Sequence, residues 1–101
     1  MMNKDESITR LIEWITSIFG SDLIEIIDYW EGDLCAIGIR RKGIDGKLLY
    51  ISTFGKVDSQ YDFECEEHCG SDNTDYDVVD KGENVTKDVL KCKIDEWLFT
   101  K

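Results

Sequence analysis

The stretch Gln60-Tyr61-Asp62-Phe63-Glu64-Cys65-Glu66-Glu67 alternates apolar and acidic side chains without a break from Tyr61 to Glu66. Successive side chains of a β-strand point to opposite faces of its sheet. Tyr61, Phe63 and Cys65 therefore share one face, and Asp62, Glu64 and Glu66 share the other. This segment decides the fold: it demands a sheet with core on one side and carboxylates on the other.

Three runs precede it. Residues 23–30, rich in Ile and aromatics, are a predicted strand. Its alternation slips at Ile26-Ile27, as at a bulge or in a strand apolar on both faces. Glu31-Gly32-Asp33 is a tight turn. Residues 34–41 follow, with Cys35, Ile37 and Ile39 on one face, and Gly43-Ile44-Asp45-Gly46 forms a second hairpin loop. Residues 48–54 make the third strand, with Leu49 and Ile51 inward, and residues 55–59 turn the chain into the acidic strand. Beyond it, residues 68–74 read as a polar loop and residues 76–80 as a short fifth strand.

Helices flank this block. Ile8, Leu11, Ile12, Ile15, Ile18 and Phe19 recur at helical spacing, which predicts a helix over residues 6–19. Asp5 and Ser7 are its alternative N-caps, and Gly20 is its stop. Lys81-Gly82-Glu83-Asn84 leads into a last helix capped by Asn84 or Thr86. Val89 or Leu90, Ile94, Trp97 and Leu98 form its apolar stripe. The expected architecture is α+β: an N-terminal helix, an antiparallel meander of four or five strands, and a C-terminal helix. Short connections favour the meander, and two apolar helix stripes need one shared sheet face. At 101 residues the chain is expected to be a single domain, residues 1–101.

Charge is distributed unevenly. Between Lys56 and Lys81 there is no Lys or Arg, while residues 58–80 hold nine acids: Asp58, Asp62, Glu64, Glu66, Glu67, Asp72, Asp75, Asp77 and Asp80. The whole chain carries a formal charge of −10, so this quarter of it holds nearly all of the excess. Crowded like charges destabilise a compact state. The usual gain is a fast, steered encounter with a cationic partner. A purely solvating face normally mixes both signs. The acids of this run, together with the aromatics Tyr61 and Tyr76, are the candidate partner-binding residues. Tyr29 and Trp30 are further aromatic candidates, and Arg40-Arg41-Lys42, the one basic run, is expected to pair with nearby acids.

A sequence pI near 4.4 argues against direct binding of nucleic acid or of an anionic membrane. No run approaches the roughly 18 apolar residues of a membrane span. The N-terminus carries acids where a signal peptide needs net positive charge, so a cytoplasmic protein with reduced thiols is expected. Cys65, His68 and Cys69 form a C-x-x-H-C cluster that could begin a zinc site. The spacing matches no standard finger, and Cys65 falls on the apolar face of its strand. Asp72, Asp75 and Asp77 lack the ligand spacing of a calcium loop. With one histidine, no phosphate loop and no nucleophile elbow, the expectation is a non-enzyme without cofactor or metal. The rival reading is a small metal- or thiol-dependent enzyme or sensor built on Cys65, His68 and Cys69. A further alternative is an acidic DNA mimic.

The segments Lys47-Leu48-Leu49-Tyr50-Ile51-Ser52-Thr53-Phe54-Gly55, Tyr61 to Glu66 and Tyr76-Asp77-Val78-Val79-Asp80-Lys81-Gly82-Glu83-Asn84, followed by a closing helix, resemble small bacterial immunity proteins of contact-dependent inhibition and related polymorphic toxin systems. The resemblance lies in overall pattern across residues 47–98. It implies a cytoplasmic, non-enzymatic inhibitor of one cognate basic toxin domain. The implied toxin is a nuclease, most simply one acting on tRNA, whose basic cleft an acidic face would block.

Overall fold

A computed structural model describes residues 4–27, 32–44, 46–56, 60–68 and 76–99. The first helix, α1, spans Glu6–Phe19. Of the two candidate caps Asp5 serves: its Oδ2 accepts from the Ser7 backbone N–H at 3.0 Å and from Ser7 Oγ at 2.6 Å. These bonds favour the charged form and hold the Asp5 carboxyl below its usual pKa. Gly20, at φ +91°, ends the helix in a conformation that side chains disfavour.

Five strands follow: β1 (Ile24–Ile27), β2 (Ala36–Arg41), β3 (Lys47–Ser52), β4 (Tyr61–His68) and β5 (Tyr76–Val85). They lie in sequence order, and every neighbouring pair is antiparallel, as the expected meander requires. The last helix, α2, spans Lys87–Phe99. Thr86 caps it rather than Asn84, with its Oγ1 accepting from the Val89 N–H at 3.3 Å. The α+β architecture is therefore the expected one.

The register builds the core. Ile37 pairs with Ile51, Ile39 with Leu49, Leu49 with Cys65 and Ile51 with Phe63. Directly opposed residues share a face, so these side chains form one apolar platform. Ile8, Leu11 and Ile15 of α1, with Leu90, Ile94 and Leu98 of α2, bury against it in a single cluster. Both helices thus cover the same face. At the end of α2 the Trp97 indole donates to the Leu48 carbonyl at 3.1 Å. The Phe99 ring stacks on Phe19 with centroids 5.2 Å apart.

Two expectations need adjustment, and one open alternative is decided. Ile18, expected on the buried stripe of α1, is exposed: the stripe runs through Ile8, Leu11, Ile12, Ile15 and Phe19, which packs against the core, and leaves Ile18 at its margin. The β1–β2 register runs without a break from Ile24 to Ile27, so the slip at Ile26-Ile27 is not a bulge there. Ile26 packs against the core while Ile27 is buried on the opposite side, so the strand is apolar on both faces. The second correction is the larger. The fifth strand does not stop at Asp80 but runs on to Val85. Two register breaks, between Tyr61 and Phe63 and between Cys65 and Glu66, let ten residues of β5 lie beside eight of β4. Such bulges absorb the extra residues that strict alternation would forbid. Asn84 sits at one of them with φ +54°, a conformation that Asn tolerates better than most residues.

Candidate functional site: the carboxylate face

The alternation of β4 holds in three dimensions. Tyr61, Phe63 and Cys65 are buried under the helices, and Asp62, Glu64 and Glu66 lie half-buried on the second face. His68 continues that second row. Glu67 does not: it faces the helix side, opposite Lys47 on one neighbour and Asp77 on the other. Asp80 also belongs to the helix side, opposite Cys65, where Lys93 Nζ of α2 reaches its Oδ2 at 2.7 Å. That hydrogen bond holds the Asp80 carboxyl below its usual pKa and raises the Lys93 ammonium above its own. The acids contiguous in sequence are therefore divided between two faces. Asp58, Asp72 and Asp75 lie outside the described residues, as do Tyr29, Trp30, Cys69 and the side chain of Tyr76.

The second face is not uniform. On its β1–β3 side, Ile27, Ala36, Leu48 and Ser52 are all buried. Beyond the Glu25–Arg40 ion pair of β1 and β2, the polar part lies on β4 and β5 and the adjoining edge of β3. There a cleft of about 220 Å³ is lined by Tyr50, Ser52, Asp62, Glu64, Lys81 and Glu83 beside the Phe63–Gly82 contact. Three of these six are acids and one is a cation. Burial, reinforced by the nearby carboxylates, pushes the Tyr50 phenol up from its usual pKa.

The acids of this face play different parts. Asp62 holds the bulge together: its Oδ1 accepts from the Asn84 N–H at 3.0 Å and lies 3.0 Å from Lys56 Nζ. Lys56 Nζ also donates to Asn84 Oδ1 at 2.8 Å. Glu64 faces Lys81 across the ladder. Among the described residues Glu64, Glu66 and Glu83 make no ion pair. Partial burial, and then the charge of Glu64, raise the Glu66 pKa. Keeping Glu66 ionised therefore costs free energy, which an approaching cation would offset.

Sequence reasoning missed two features. The order Lys81-Gly82-Glu83-Asn84 reads as the lead-in of the last helix, but the bulged β5 carries Glu83 to the cleft instead. Phe54 is 75 % exposed in the β3–β4 turn, with its N–H donating to Ser52 Oγ at 3.2 Å on the cleft wall. An exposed aromatic beside a charged cleft is an anchor candidate. Tyr61, named for that part, is 6 % exposed and belongs to the core. Its place in the alternation was the available signal.

The thiol cluster is split by the same geometry. Cys65 is fully buried on the helix side, whereas His68 lies in the carboxylate row on the other face. Burial, with the nearby Asp80 charge adding to it, pushes the Cys65 thiol up to about 12. A thiol so placed is poorly nucleophilic. Among the described residues no three His, Cys, Asp or Glu side chains are grouped to hold a metal ion.

A larger cleft, about 440 Å³, lies between the starts of the two helices. Its cations are already engaged. Arg10 pairs with Glu6 at 2.6 Å, Lys56 with Asp62 at 3.0 Å, and Lys87 lies 5.4 Å from the Trp14 ring. No helix among the described residues is long and apolar enough to cross a membrane. Comparison with protein-family models, curated proteins and solved structures returns no match.

Proposed function

We propose that this chain is an immunity-type inhibitor: a non-catalytic protein that neutralises a basic toxin domain by docking its carboxylate face on it, in the cytoplasm of the cell that makes both. The observation that carries the reading is the cleft on the sheet face away from both helices, lined by Asp62, Glu64 and Glu83, with Glu66 following Glu64 in the same β4 row. Residues in that position contribute little to the core, and their mutual repulsion opposes folding. A cationic partner reverses the sign of that effect.

The division of labour follows from magnitudes. Blocking an intracellular nuclease requires near-complete occupancy, so a dissociation constant on the order of nanomolar, or about −12 kcal/mol, is needed. Exposed ion pairs contribute roughly 0–1 kcal/mol each. Three or four carboxylates therefore set encounter rate and orientation but do not supply the affinity. Phe54 is the described aromatic best placed to supply a desolvated anchor. A nuclease holds a polyanion and is correspondingly basic, which suits it to this face.

The test is to find the adjacent gene for a protein with a basic C-terminal domain, which the reading requires, and to co-express that domain with this protein; absence of such a gene also counts against the reading. Cells carrying both should survive, cells carrying the toxin domain alone should not, and the two proteins should co-purify. Survival without this protein, or no complex at any salt, overturns the reading.

A further inference from the structure

Among the described residues the sheet has two unequal edges: β1 has four residues, whereas β5 has ten and is the longest strand. An edge strand presents unpaired backbone N–H and C=O groups, and proteins usually keep such strands short or cover them. Here α2 packs over β2, β3 and β4. Among the described residues, β5 makes its ladder with β4, and no other element supplies a backbone hydrogen bond to it. Val78 and Val79 are 48 % and 50 % exposed, and β-branched residues suit an extended, paired backbone.

Charge selects the occupant. Asp77, Asp80 and Glu83 stand on this strand against the single cation Lys81. Asp80 is taken up by Lys93, which leaves Asp77 and Glu83 exposed on either side of Lys81. A second copy of the chain would set like charges against like. An extended segment carrying Lys or Arg would not. Lys81 and the two bulges are devices that suppress self-pairing of an edge, and they fit a strand kept long for a specific partner.

We infer that β5 is a strand-acceptor edge: a cationic extended segment of a protein partner adds a sixth strand beside it, with main-chain hydrogen bonds holding the segment and Asp77 and Glu83 favouring its basic side chains. This deepens the immunity reading and takes from it only that the partner is a cationic protein. The edge joins the two faces: Glu83 also lines the cleft, whereas Asp77, opposite Glu67, stands on the helix side.

The test uses the isotope-labelled full chain and a nine-residue probe peptide of alternating Lys and Val. A second peptide of the same sequence is N-methylated at alternate residues. It keeps every charge and side chain and loses the donors on one edge. The unmethylated peptide should shift the β5 amide resonances, slow their hydrogen exchange and leave β1 unmoved. The methylated copy should bind at least about tenfold more weakly. Equal binding of the two peptides, or no binding of the first at about 1 mM, overturns strand addition. Self-association of the chain through β5 in sedimentation would also overturn it. Because the peptide replaces the toxin, these failures leave the carboxylate-face reading standing, and that reading fails separately if no basic toxin domain binds.

Discussion

Gly82 lies opposite Phe63 in the β4–β5 ladder. A Cβ built on it would sit 2.3 Å from Phe63 Cε2 and 2.8 Å from Cζ, well inside van der Waals contact. The ring therefore lies over the glycine, an aromatic–glycine pairing that recurs in sheets. It cannot swing aside freely. Phe63 is 4 % exposed, and the Lys93 ammonium lies 5.9 Å from its ring centre. Gly82→Ala should by itself gain roughly 0.5–1 kcal/mol, because glycine loses more backbone entropy than alanine on folding. Overpacking of a closed core site costs about 1–3 kcal/mol, and a clash more than 1 Å deep belongs at the upper end. The net expectation is a loss of about 2 kcal/mol, or roughly 8–16 °C in Tm for a domain of this size. Urea unfolding followed by tryptophan fluorescence should show a lower midpoint with an unchanged slope. A Gly82→Ala/Phe63→Leu double variant should recover at least about 1 kcal/mol relative to additivity, because the clash is then gone. Equal stability of Gly82→Ala and the parent, within about 0.5 kcal/mol, would refute the contact.

Three further outcomes follow from the same structure. Cys65→Ser should lose about 1–3 kcal/mol in urea unfolding, because a hydroxyl enters a fully buried apolar site without a partner; the parent thiol, with its pKa near 12, should resist iodoacetamide at pH 8 in the folded protein. Glu66→Gln should raise Tm at pH 7. The folded-state pKa of Glu66 lies above its ordinary 4.5, so the parent loses stability as pH rises through that window, and the gain from the variant should vanish below about pH 4. Asp62→Ala should lose about 1 kcal/mol, since it removes the acceptor of the Asn84 N–H and the partner of Lys56; an unchanged melting temperature would show that the bulge does not depend on it.

The fold was legible because its strongest signals were local. Alternation from Tyr61 to Glu66 fixed which face of β4 met the helices, and the i, i+3, i+4 pattern fixed α1. What was not legible depends on pairing. Nothing in the order Lys81-Gly82-Glu83-Asn84 announces a strand. Gly and Asn there suggest a loop, and it is the Phe63 ring over Gly82 and the Asp62 carboxylate on Asn84 that draw the segment into the sheet. The site was half legible for the same reason. A run of acids gives total charge, but only the register assigns Asp80 to Lys93 and Asp62 to the bulge, and brings Glu83 beside Glu64. Phe54 gave no sign, since one aromatic at a strand end reads equally as core or surface.

The most direct test of the account is the association kinetics of this protein with the basic domain that co-purifies with it, from low to about 0.5 M salt, for the parent and for a variant with Glu64, Glu66 and Glu83 all replaced by Gln. None of the three makes an ion pair among the described residues, so the variant should fold at least as stably as the parent. The parent on-rate should fall by more than about tenfold with salt, while the off-rate changes little. The variant should associate slowly at low salt and respond weakly to screening. An on-rate that is the same for parent and variant at low salt would contradict the claim that this carboxylate face meets the partner.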